Sequence, residues 1–294
     1  MCTNPDNFRN ENPELNYGFS KIVRQLNSFQ KKNLDDDHFI LTGGEPTIHP
    51  RFLDILRLIR KKFPSLRIDV CTNGRRFFYA SFANECLKIK NLNLIIPILG
   101  YDAKSHDAVT RIRGSFSQTV KGLENILARK DESQSLEIRI ILIKSVINSL
   151  AKILGFVKNR FPEIGRIILI FPEFEGQAAR NARAVGVDYF GVRRVIEKSL
   201  TLINAFKDLR FYHFPLCTLD FEFWPRIWRT LPAEEVTFLP FCGNCFYRKY
   251  CLGVHRDYVS RMRKGELLPV KKEVKILESN NFHHPVIGIM DKPL

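Results

Sequence analysis

Sulfur is scarce where the chain begins: after Cys2 no cysteine occurs until Cys71. That stretch alone therefore cannot assemble a thiolate cage. No apolar run approaches the ~18 residues that a spanning helix needs, which excludes a helical membrane segment. There is no charged-then-apolar leader, an absence that points to the cytoplasm. Acidic residues are also few, 31 against 46 Lys and Arg, for a net charge of +15. Such a surface attracts anionic partners in principle. Its densest clusters, such as Arg57 to Lys62 and Arg261 to Lys264, are short and scattered. Solvated helix faces account for them better than a nucleic-acid site does. Seven cysteines in a chain read as cytosolic argue against a disulfide framework and for metal or cluster ligands.

What is present is an alternation of two periodicities. Phe19, Ile22, Val23 and Leu26 recur at helical spacing, as do Phe52, Ile55, Leu56 and Ile59. Between such segments lie short β-rich runs at 66–71, 92–98, 136–143 and 167–171, following a first at 38–41. Strands apolar on nearly every residue and separated by single helices imply a parallel sheet covered on both faces. The fold class is therefore α/β, with function expected at the C-terminal strand ends. From about Lys207 aromatics and prolines become dense and the periodicity fades. The expected domains are 1–206, a barrel-like core, and 207–294, a small irregular cysteine-rich extension.

The most informative stretch is Leu41-Thr42-Gly43-Gly44-Glu45-Pro46-Thr47, at a strand-to-helix junction. Two glycines let a strand end turn sharply and bring bare backbone against a ligand. Pro46 biases Glu45 toward an extended conformation. Carbonyls and one anion placed so suit a small cationic or zwitterionic group.

These residues resemble the Gly-Gly-Glu-Pro motif of the radical S-adenosylmethionine (radical SAM) enzymes. Further matches follow in the family's order. Val70-Cys71-Thr72-Asn73-Gly74 resembles the Thr-Asn-Gly that ends the next strand. His106-Asp107 through Arg113-Gly114-Ser115-Phe116, then Thr119, Gly122 and Asn125, resembles the stretch after the fourth barrel strand. The resemblance covers most of residues 1–180. It implies a partial (β/α)6 TIM-like barrel that binds S-adenosylmethionine through Gly43, Gly44, Glu45, Pro46, Thr47, Thr72 and Asn73. Arg111 and Arg113 are candidates for the methionyl carboxylate. Many relatives carry Ser at the end of the fourth strand. Ile96-Pro97-Ile98-Leu99-Gly100 departs from that and suggests backbone contact near Gly100. Glu175 is a candidate polar contact to adenosine or substrate.

The family holds a 4Fe–4S cluster with three thiolates in Cys-x3-Cys-x2-Cys, leaving one iron open. Met1-Cys2-Thr3-Asn4-Pro5 looks like the end of that motif, with Cys2 its third ligand. The expectation is a truncated N-terminus that also removes the first barrel strand, exposing the edge of the strand at 38–41. The chain as written is then expected to be inactive.

A second group, Cys242-Gly-Asn-Cys245 with Cys251, has a fourth thiol upstream at Cys217. Cys-x2-Cys lets two thiolates share one metal, and four sulfurs suit either tetrahedral zinc or a fully ligated 4Fe–4S cluster. The run through Gly253, Tyr258, Gly265, Glu266 and Pro269 is similar to the SPASM or Twitch extensions of radical SAM peptide-modifying enzymes. This resemblance implies an auxiliary 4Fe–4S cluster, a peptide or protein substrate, and an electron donor such as a flavodoxin or ferredoxin. Cys71 and Cys86 read as core residues. A different class, a non-catalytic barrel with a zinc knuckle that recruits nucleic acid, is the alternative.

Overall fold

A computed structural model describes residues 17–29, 38–261 and 265–290. It divides into two compact units. One holds the described residues up to Arg139 together with Phe161–Gly165. The other holds Ile140–Arg160 and the described residues from Arg166 onward.

The first unit contains α1 (Phe19–Ser28), β1 (His38–Leu41), α2 (Phe52–Lys62), β2 (Arg67–Cys71), α3 (Ala80–Cys86), β3 (Leu92–Pro97), α4 (Ala103–Thr110) and α5 (Ser115–Leu127). It also contains most of β4 (Gln134–Ile141). Neighbouring strands pair in parallel and in sequence order. Buried Phe52, Ile55, Leu56 and Ile59 lie at helical spacing along one face of α2, the pattern of a surface helix packed on a core. β3 is buried along Leu92 to Ile96, as a strand covered on both faces must be. The register Asp69↔Asn93↔Ser135 carries a polar ladder across three strands, buried at Asp69 and Asn93 and exposed at Ser135. Asn93 Nδ2 donates to Asp69 Oδ1 at 3.1 Å, and Ser135 Oγ donates to Asn93 Oδ1 at 2.7 Å. Among the described residues β1 pairs with β2 alone, and Ile40 on it is 57% exposed.

The second unit contains the end of β4, α6 (Lys144–Ile147), α7 (Leu150–Arg160), β5 (Arg166–Ile170), α8 (Gly176–Arg180), α9 (Ala182–Val185), α10 (Tyr189–Lys198) and α11 (Leu200–Asn204). Two more strands follow, β6 (Leu209–Tyr212) and β7 (Ile227–Trp228), and β5, β6 and β7 pair in parallel in that order. Neither β6 nor β7 is among the runs picked out by sequence periodicity. Each is short and set among aromatics and prolines. β8 (Val236–Thr237) and β9 (Val254–His255) form an antiparallel pair, and α12 (Arg256–Val259) follows at once.

Parallel strands in chain order with helical crossovers make the α/β, partial-barrel class expected from the sequence. An aromatic core binds the late segment to α10. Phe171 stacks on Tyr189 at 3.7 Å, and Tyr258 meets both edge-on. Glu266 Oε1 accepts from the Tyr258 hydroxyl and from the Tyr189 amide, each at 2.6 Å.

Candidate functional site

The loop after β1 and the loop after β2 are tied together through a single carboxylate. Glu45 Oε1 accepts from the Thr47 amide at 3.1 Å, the Thr47 hydroxyl at 2.6 Å and the Thr72 hydroxyl at 2.6 Å. Its Oε2 accepts from the Asn73 amide at 2.7 Å. Thr47 and Thr72 are both buried and Glu45 is half-buried, so these bonds are partly shielded from water. Arg76 reinforces the junction by donating to the Thr47 carbonyl. The 3₁₀ turn Pro46–Ile48 forms because Pro46 presets φ at its first position and Glu45 caps it.

Gly43 has φ +137°, a conformation open to glycine, whereas a Cβ on it or on Gly44 would touch nothing within 4 Å. The glycine pair therefore presents exposed main chain rather than filling a tight space. That bare main chain, beside a carboxylate whose Oε2 has spare acceptor capacity, fits a ligand bearing an ammonium group.

Helix α5 fixes the second loop. Thr119, Gly122 and Asn125 lie at spacings of three along one helix face. Thr119 Oγ1 donates to the Asn73 carbonyl at 3.0 Å, and Asn125 Nδ2 donates to the Phe77 and Phe78 carbonyls at 2.9 Å each. A Cβ on Gly122 would come within 2.4 Å of the Gly74 carbonyl oxygen, so only glycine allows this approach.

The turn between α4 and α5 is organised by Asp107. It accepts from the Gly114 amide at 2.6 Å, the Ser115 hydroxyl at 2.8 Å and the Phe116 amide at 2.8 Å. The Phe116 amide above all, then the Ser115 hydroxyl and the Gly114 amide, hold its carboxyl below the usual range. His106 is buried, its Nδ1 accepting from the Leu99 amide at 3.2 Å, and burial depresses its pKa to about 4. The His106-Asp107 pair thus serves the local fold.

Gly100 is buried, and a Cβ there would lie 2.3 Å from the His106 amide nitrogen, so its small size serves the packing of α4. Arg111 and Arg113 are exposed on the α4–α5 turn, Arg111 with φ +58°. Glu175 belongs to the second unit, just before α8, 3.5 Å from His255 Nε2. His255 is a residue that sequence reasoning passed over.

Cys217, Cys242, Cys245 and Cys251 together line one cavity of about 20 Å³ in the second unit. Cys242 and Cys245 sit around a tight turn in which the Cys245 amide donates to the Cys242 carbonyl at 3.2 Å. The Leu216 and Gly253 amides each approach Cys251 Sγ at 3.4 Å. Burial, and then the neighbouring Cys251, Cys242 and Cys245, push the Cys217 thiol up. The four sulfurs line one cavity and backbone amides point at one of them, a donor type that suits a zinc ion or a cluster, although no three of these sulfurs lie within 4.8 Å of one another. Cys71 and Cys86 stand apart as free thiols, Cys86 buried in α3 with its pKa pushed up to about 12. Cys2 lies outside the described residues, and no described cysteine precedes Cys71. A three-thiolate donor set for a core cluster is therefore not found among the described residues.

No described helix is long and apolar enough to cross a membrane. The family model of the radical SAM superfamily matches residues 1–154, more than half of the chain. No curated protein sequence matches it. Among solved structures, that of Streptococcus suis SuiB bound to precursor peptide SuiA is similar, with a TM-score of 0.47 and 15% identity. The similarity covers 58% of this chain and 37% of SuiB, so the chain spans well under half of that relative.

Proposed function

Because the chain belongs to the radical SAM superfamily, whose enzymes use S-adenosylmethionine and a 4Fe–4S cluster, we propose that its reaction is hydrogen abstraction from a C–H bond of a peptide or protein. In this family the bound nucleotide and reduced cluster supply a 5′-deoxyadenosyl radical for that abstraction. The chain's own part is to bind and orient. Gly43 and Gly44 offer main-chain polar groups, and Pro46 and Thr47 hold the loop in shape. Glu45 offers its remaining Oε2 acceptor site to the ligand's ammonium. Thr72 and Asn73 keep that carboxylate fixed while α5 holds their loop in place. Arg111 and Arg113, exposed on the α4–α5 turn, are the proposed partners of the ligand's carboxylate.

The peptide assignment rests on the four-thiol segment, which resembles the extensions of peptide-modifying members. We assign Cys217, Cys242, Cys245 and Cys251 to an auxiliary 4Fe–4S cluster, with zinc as the alternative occupant. An electron donor of the flavodoxin or ferredoxin kind and a cytoplasmic setting go with this reading.

The observation that carries the proposal is the Glu45 carboxylate, pinned by both strand-end loops beside a glycine pair with open space over it. Equilibrium dialysis of S-adenosylmethionine against the iron- and sulfide-reconstituted protein tests it. Uptake that weakens in Gly43→Val supports the reading, and no uptake by cluster-loaded protein overturns it.

A further inference from the structure

The second unit contains a group of ionisable side chains that the proposed reaction does not use. We propose that Glu175, His255 and Asp257 hold a divalent transition-metal ion, with Glu235 adding a further negative charge beside it.

The key atom is His255 Nε2. The side chain is 6% exposed, yet this nitrogen has no hydrogen-bond partner. A buried ring nitrogen left unsatisfied is destabilising and calls for a partner. The nearest polar atoms are carboxylate oxygens, Glu175 Oε1 at 3.5 Å and Glu235 Oε2 at 3.9 Å. These separations are long for hydrogen bonds. They match the spacing of two donors that each lie about 2.0–2.2 Å from one ion. One donor atom from each of Glu175, His255 and Asp257 lies within 4.8 Å of the others.

Three segments far apart in sequence build the group. Glu175 precedes α8, and its side chain makes no capping bond to that helix. Glu235 precedes β8, whose Val236 pairs with His255 on β9, so the sheet register brings the two together. Asp257 lies in the first turn of α12. His255 Nδ1 accepts from the Asp257 amide at 3.3 Å. A cation on Nε2 requires the ring proton on Nδ1, so this long bond is given up when the ion binds.

One imidazole with carboxylates suits Mn²⁺, Fe²⁺ or Zn²⁺. The set contains no sulfur, which distinguishes it chemically from the four-thiol cavity. It is also independent of the radical reaction.

The test uses Mn²⁺, whose preference for oxygen keeps it off thiolates. Mn²⁺ is titrated into the full chain, with loss of the free-ion electron paramagnetic resonance signal and the thermal midpoint as readouts. Uptake of one ion per chain and a rise in midpoint are expected. Glu175→Gln and His255→Gln should each weaken uptake by about tenfold or more and abolish the rise, while Glu234→Gln leaves both unchanged. Glu175 is 42% exposed, so its variant folds and decides the matter even if His255→Gln does not. No uptake at millimolar Mn²⁺, or uptake of full strength in Glu175→Gln, overturns the proposal.

Discussion

Glu45 and Thr72, 27 residues apart, are joined by a 2.6 Å hydrogen bond in which the threonine hydroxyl donates to Oε1. Thr72→Val keeps the side-chain shape and deletes that donor. We expect a loss of about 0.5–1.5 kcal/mol in urea unfolding, since a half-buried carboxylate loses one of its donors, together with weaker S-adenosylmethionine uptake in dialysis. Unchanged stability with unchanged uptake would show that the Thr47 and Asn73 donors alone fix the carboxylate.

Two glycine substitutions should move stability in opposite directions. Gly122→Ala drives a methyl against the Gly74 carbonyl at 2.4 Å and must push α5 away from the turn after β2. A cost of about 1–3 kcal/mol is expected. Gly155 lies inside α7, and a Cβ there would meet nothing within 4 Å. Gly155→Ala should therefore stabilise by about 0.4–1 kcal/mol. Chemical denaturation of both variants checks the pair, and two effects of the same sign would refute the packing argument.

His106 gives a pH dependence of definite sign. Its folded pKa, about 4, lies below the ordinary value of 6.5, and burial is the cause. The unfolded chain binds the proton more readily, so the ring's contribution is complete above pH 6.5. It is lost as pH falls from 6.5 toward 4, with a full extent on the order of 3 kcal/mol. Asn can supply an oxygen where Nδ1 accepts from the Leu99 amide. Stability of His106→Asn should thus fall less than wild type over that window, measured by denaturation at stepped pH. Parallel curves would exclude the assignment.

The four-thiol cavity predicts its own metal content. Anaerobically purified protein should carry iron and acid-labile sulfide, both reduced by Cys242→Ser or Cys251→Ser. Chelation should lower the thermal midpoint, because a site assembled from 217 and 242–251 links distant segments. Zinc without sulfide, found by metal analysis, would replace the cluster with a tetrahedral ion.

Much of this architecture is legible in the residue pattern. The spacing of Phe52, Ile55, Leu56 and Ile59 gives the buried face of α2, and the apolar run from Leu92 gives β3. Gly43-Gly44-Glu45 falls at a strand end, as its composition suggests. What the pattern leaves out is spatial. β6 and β7 are too short to show a period among Phe211, Phe214, Phe223 and Trp224. No one-dimensional signal joins Glu175 to His255, because sheet register and a helix start bring them together from 80 positions apart. The spacing of Thr119, Gly122 and Asn125 is visible in sequence, but its meaning waits for the carbonyls that it meets.

That last contact sets what can change around it. Helix α5 grips the turn by the carbonyls of Asn73, Phe77 and Phe78, atoms that every residue possesses. Those three bonds are therefore blind to which side chains the turn carries, but the turn is not free to vary: Arg75 bonds Gln118 on α5, Arg76 bonds the Thr47 carbonyl and Phe77 is fully buried. Phe78, 43% exposed, is the position where evolution or design can reshape the rim while the helix goes on holding the same backbone at the same height.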